Sequence, residues 1–126
     1  MRKQKVLIAD DNAHFAKALK FMLLDSFDER IEDITIVKDG DECISELNEQ
    51  LYDMVFMDIN MPKKNGIDAT REATQLYRNL VVIAVSFHSE MKYVVRMIEA
   101  GARSYIIKDE ISRDSLEKAL SIEYSF

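Results

Sequence analysis

The stretch Lys5-Val6-Leu7-Ile8-Ala9-Asp10-Asp11-Asn12 decides how this chain folds: a run of apolar residues is closed by two acids and an asparagine suited to starting a helix. A short run that is apolar on both faces is what a strand buried in a parallel sheet requires. A second run of the same kind, Met54-Val55-Phe56-Met57, ends directly on Asp58. Parallel strands finish together at the carboxyl edge of their sheet, where open α/β folds bind ligands, so Asp10, Asp11 and Asp58 are expected to meet there. Like charges held that close repel strongly at a low effective dielectric. A hard divalent cation, which prefers oxygen ligands, is the natural compensation.

Outward from these two runs, strand and helix patterns alternate to the end of the chain. Strands are expected at residues 5–9, 34–37, 53–57, 80–85 and 104–107. The first helical pattern places Phe15, Leu19, Met22 and Leu23 on one face, and the second Cys43, Ile44 and Leu47. The third, after Gly66, carries Ile67, Thr70, Thr74 and Tyr77, and the fourth carries Met91, Val94, Val95 and Ile98. The last runs over about residues 112–123 with Leu116, Ala119 and Leu120 inward. Asn12 and Ser112 are suited to helix N-caps, and Gly101 to a C-terminal stop. Five βα units with right-handed crossovers give a doubly wound parallel sheet with helices on both faces.

Composition sets the outer bounds. With 126 residues, 48% of them hydrophobic, the chain is sized for one domain over residues 1–126 with its own core. A net charge of -6 leaves no basic excess for phosphates, which argues against nucleic acid or an anionic membrane as a partner of this chain. No apolar stretch approaches the ~20 residues of a membrane span, and the N-terminus is charged, not signal-like. The lone Cys43 lies on an apolar helical pattern and reads as packing in a reducing compartment. A cytoplasmic location is expected. His14 and His88 lack metal-ligand spacing, and Lys63-Lys64 reads as a solvated turn.

Two more polar residues stand at expected strand ends: Ser86 after the fourth and Lys108 after the fifth. A carboxylate can attack phosphorus to form an acyl phosphate, a cation and a lysine can balance the transferred charge, and a hydroxyl can bind a phosphoryl oxygen. Any one of these residues alone is more often a cap or a surface charge. As an ordered set they are complete for aspartyl phosphorylation.

With Asp10-Asp11, Asp58-Ile59-Asn60-Met61-Pro62, Gly66, Ser86 and Tyr105-Ile106-Ile107-Lys108 in place, the whole chain resembles the response-regulator receiver domains of two-component signalling. The resemblance implies the flavodoxin-like (βα)5 sheet with strand order 2-1-3-4-5. It implies that Asp58 is the phosphoacceptor, served by a sensor histidine kinase or a histidine phosphotransfer protein. It further implies Mg²⁺, with Mn²⁺ as an alternative ion, held by Asp11, Asp58 and the backbone carbonyl of Asn60, with Asp10 acting through water. Lys108 is then expected to pair with Asp58 and later with its phosphoryl group. Ser86 and Tyr105 form the switch, Tyr105 turning from outward to inward. The altered face serves an output domain or partner protein, in transcriptional control, and self-association through the fourth helix, fifth strand and fifth helix follows from related receivers.

The chain departs from the family pattern in two places. Asp109 follows the lysine where many receivers have a cis proline, so a trans peptide is expected. The segment from Ser104 to Asp109 resembles the receivers commonly fused to a helix-turn-helix DNA-binding domain. Phe87 replaces the small residue usual after Ser86, and with His88 and Asn60 it is expected to control access to Asp58. Other classes fit less well. A haloacid-dehalogenase-type phosphatase places an Asp two residues after the nucleophile, where this chain has Asn60, and Gly40, Gly66 and Gly101 form no phosphate-cradling loop. A degenerate scaffold is disfavoured because every acidic, hydroxyl and lysine position is filled.

Overall fold

In the computed structural model, which describes residues 2–122, five parallel strands alternate with five helices. The strands are β1 (Gln4–Ala9), β2 (Ile31–Val37), β3 (Met54–Met57), β4 (Val81–Ser86) and β5 (Ser104–Ile107), paired in the order β2-β1-β3-β4-β5. The helices are α1 (Ala13–Phe27), α2 (Gly40–Glu49), α3 (Gly66–Leu76), α4 (Met91–Ala100) and α5 (Arg113–Leu120). This is the flavodoxin-like doubly wound sheet.

Alternation along the strands divides the core into two layers. Val6 and Ile8 of β1 face the side of α1 and α5, among Leu19, Leu23, Leu116 and Leu120. Leu7 and Ala9 face the other side, among Leu47 of α2, Ala69 and Ala73 of α3, and Met97 of α4. Cys43 is buried in this second layer, which pushes its thiol up to about 12 and keeps it an inert packing group.

Register then sets the level at which each strand ends. Ala9 pairs with Met57, and Met57 with Ala84, so Asp10 and Asp58 leave adjacent strands side by side. Ser86 pairs with Ile107, which delivers Lys108 to the same edge. Local chemistry starts the helices where expected: Asn12 accepts a hydrogen bond from the Phe15 N–H, and Ser112 forms a reciprocal capping pair with Ser115. Gly101 ends α4 at a φ of 121°, a conformation that glycine adopts without steric cost.

Several expectations are corrected. β2 begins at Ile31, three residues early, because Glu32 and Asp33 stay exposed on a strand whose apolar pattern reads clearly only from Ile34. On α3 the buried residues are Gly66, Ala69, Thr70 and Ala73, and Tyr77 is the C-cap. Small side chains let this helix lie close to the sheet, while the Thr74 hydroxyl donates to the Thr70 and Ala100 carbonyls. On α4 the face with Met91, Val95 and Ile98 is exposed, and Met97 and Ala100 are the buried residues. Both sides of that ten-residue helix carry apolar groups, so periodicity alone pointed to the wrong one. Helix α5 ends at Leu120, and the residue expected to close it, Glu123, lies outside the described residues.

Candidate functional site

The carboxyl edge of the sheet collects Asp10, Asp11, Asp58, Ser86 and Lys108. Asp10, Asp11 and Asp58 each offer a carboxylate oxygen, and these atoms all lie within 4.8 Å of one another. Asp10 and Asp58 are buried while Asp11 is exposed, so the trio opens to solvent on one side. Asp58 is pushed up to about 6: burial is the main cause and the charge of Asp10 adds to it, with Lys108 and the Ile59 N–H pulling the other way and Asp11 raising it slightly. An all-oxygen donor set whose repulsion is only partly relieved fits a hard divalent cation.

Lys108 is buried between two carboxylates, the expected Asp58 and a nearer one, Asp10. Its ammonium lies 2.7 Å from Asp10 Oδ2 and 3.6 Å from Asp58 Oδ2, an ion pair with each and the shorter one with Asp10. Two backbone bonds orient these carboxylates. The Ile59 N–H donates to Asp58 Oδ1 and the Asn12 N–H to Asp10 Oδ1, which turns each carboxylate so that its Oδ2 faces the lysine. The Lys108–Asp109 peptide is trans; no cis peptide occurs among the described residues.

The loop that carries Asp58 is braced from behind. Gly66 packs against it so closely that a Cβ there would overlap the Asp58 carbonyl oxygen, and the Gly66 N–H donates to the Ile59 carbonyl at 2.7 Å. The Gly40 N–H, at the start of α2, donates to the Lys64 carbonyl at 3.0 Å. Lys64 also pairs with Glu72 and Asp41, and Lys63, at a φ of 68°, lies 3.9 Å from the buried Asp39. The Lys63-Lys64 turn is therefore tied to two helices instead of merely solvated. Nothing in the residue pattern pointed to the Gly40–Lys64 contact, because it joins backbone atoms far apart in sequence.

On the other side stands the loop after β4. Ser86 Oγ accepts from the His88 N–H at 3.1 Å, and the His88 carbonyl accepts from the Tyr105 hydroxyl at 2.7 Å. Tyr105 is half-buried against the second core layer, so it occupies an inward position, not the outward one expected at rest. Burial raises its phenol above the usual range, partly offset by the nearby Ser86 hydroxyl. The His88 ring stacks on Tyr93 of α4 at 3.9 Å, and its Nε2 lies 2.7 Å from Asn60 Nδ2. Phe87 is 58% exposed, and its ring lies under the Lys108 ammonium. Phe15, assigned only to the core from the sequence, also reaches this lysine.

A doubly wound α/β domain with a buried acidic pocket at the carboxyl edge is the class that fold and site together define. A family model for the response regulator receiver domain matches residues 6–121, and the chain belongs to that family. It is 32% identical over 120 residues to the transcriptional regulatory protein DegU of Brevibacillus brevis, covering 95% of this chain and 50% of that protein. It is 34% identical over 105 residues to the chemotaxis protein CheY of Thermotoga maritima, covering 83% of this chain and 85% of that protein. The chain thus spans about half the length of the transcriptional regulators it matches, such as DegU. Among solved structures, the CheX-CheY-BeF3-Mg complex from Borrelia burgdorferi aligns with a TM-score of 0.83 at 26% identity, covering 94% of this chain and 87% of that one.

As a receiver domain of two-component response regulators, the chain is a phosphorylation-dependent signalling switch. Receivers of this family pair with histidine kinases and output domains, and they bind Mg²⁺ at an acidic pocket such as the one formed here by Asp10, Asp11 and Asp58. No helix among the described residues is long and apolar enough to cross a membrane.

Proposed function

We propose that Asp58 is the residue phosphorylated, by a phosphohistidine on a sensor kinase or a phosphotransfer protein, and that the output is transcriptional control in the cytoplasm. A carboxylate oxygen of Asp58 attacks phosphorus, the phosphorus–nitrogen bond of the donor breaks, and an acyl phosphate forms while the imidazole leaves. The observation that carries this reading is the meeting of Asp58 with Asp10, Asp11 and Lys108 at one buried strand end. Asp11, Asp58 and the Asn60 carbonyl would hold Mg²⁺ directly and Asp10 through water. When bound, the ion supplies charge balance for the transferred group.

Lys108 would leave Asp10 to meet the phosphoryl oxygens, and Ser86 would turn from the His88 N–H to donate to them. That change passes to Tyr105 through His88, whose N–H donates to Ser86 and whose carbonyl accepts from Tyr105. Phe87, His88 and Asn60 stand beside the opening and would limit how water reaches the acyl phosphate. The exposed apolar face of α4, with Met91, Val95 and Ile98, supports contact with an output domain or a second copy through α4, β5 and α5. The likeness to DegU supports transcription as the output.

Intact-mass analysis after treatment with a small acyl-phosphate donor tests the assignment. One phosphoryl group is expected on the wild type with Mg²⁺ and none on Asp58→Asn. Equal uptake by Asp58→Asn, or undiminished uptake in a chelator, would overturn it.

A further inference from the structure

The Lys108 ammonium has three donors, and it meets Asp10 Oδ2 at 2.7 Å and Asp58 Oδ2 at 3.6 Å. With its side chain only 3% exposed, little water reaches it. Aromatic rings fill the remaining space. The ammonium lies over Phe15 at 4.3 Å from the ring centroid and over Phe87 at 5.1 Å. A ring face attracts a cation within ~6 Å, and more strongly when the cation is desolvated.

The two rings arrive from different elements for different reasons. Phe15 sits in the first turn of α1, half-buried against the core, so burial explains its place. Phe87 follows β4 and is 58% exposed, so it gains little from burial. The contact that accounts for its direction is the one to the ammonium. We infer that Phe87, together with Phe15, is a positioning residue whose ring holds Lys108 between Asp10 and Asp58, ready for the group that arrives on Asp58. The inference rests on the proposed role of Lys108 as counter-charge to that group, and it goes beyond size: an aliphatic side chain would obstruct the opening but would not hold a cation.

The test compares Phe87→Leu, which keeps apolar bulk without a π face, with Phe87→Tyr, which keeps the ring. In proton NMR the ε-methylene of Lys108, assigned through Lys108→Arg, is expected upfield from ring currents in the wild type and in Phe87→Tyr. It moves toward the free-lysine position in Phe87→Leu, and in Phe15→Leu as well. Phosphorylation by a small acyl-phosphate donor is expected to slow roughly threefold to tenfold in Phe87→Leu and to recover in Phe87→Tyr. Unchanged Lys108 resonances in Phe87→Leu, or a wild-type rate in that variant, would overturn the inference. A wild type that takes up no phosphoryl group would instead sink the assignment of Asp58, and the resonance comparison would then decide the ring contact by itself.

Discussion

The side-chain amide of Asn60 and the imidazole of His88 meet at 2.7 Å, joining the loop after β3 to the loop after β4 beside Asp58. With the amide donating, Nε2 is the acceptor and Nδ1 carries the ring proton, on the side where Glu90 Oε2 lies 3.6 Å away. The stack on Tyr93 holds the ring in that plane.

This pair is expected to slow loss of the phosphoryl group, because two groups bonded to each other are less free to orient a water for in-line attack. His88→Ala and Asn60→Ala should each speed autodephosphorylation severalfold. The double variant should gain little over the faster single one, since both remove the same contact. Phosphate release followed from the purified acyl phosphate is the measurement, and fully multiplicative effects would show that the two side chains act separately.

Asp58 makes stability depend on pH in a defined direction. Its folded value of about 6 lies above the ordinary 3.8, so between those values the folded chain binds more protons than the unfolded one. The carboxylate therefore removes stability as pH rises from about 4 to about 6, by roughly 2 to 3 kcal/mol in the metal-free chain. Asp58→Asn should accordingly be more stable than wild type at pH 7, with the gap closing below about pH 4 and narrowing when Mg²⁺ is added. Urea unfolding followed by circular dichroism measures it, since the chain has no tryptophan. A gap that widens on acidification would contradict the sign.

Lys108→Ala should bind Mg²⁺ at least as tightly as wild type. The ammonium now occupies Asp10 Oδ2, and removing it leaves the acidic trio without its built-in cation. The metal-free variant should lose about 3 to 5 kcal/mol of stability, as expected when one partner of a buried pair is deleted, and added Mg²⁺ should recover part of it. Calorimetric titration reads the affinity, and abolished binding would mean that Lys108 organises the metal ligands.

What the sequence by itself determined is the layout of strand ends. Apolar runs such as Val6–Ala9 and Met54–Met57 are local signals, and an acid placed directly after each must emerge at the carboxyl edge once the strands are parallel. The caps at Asn12 and Ser112 were legible for the same reason, since a cap bonds within three residues of itself. Only the tertiary structure decided which carboxylate lies nearer Lys108, which side of α4 turns to the sheet, how Gly40 braces the Lys64 carbonyl and where the ring of Phe87 points. Each of those depends on loop paths and side-chain directions set by residues distant in the chain. Their energies differ by no more than a hydrogen bond or a ring contact, and periodicity carries no record of differences that small.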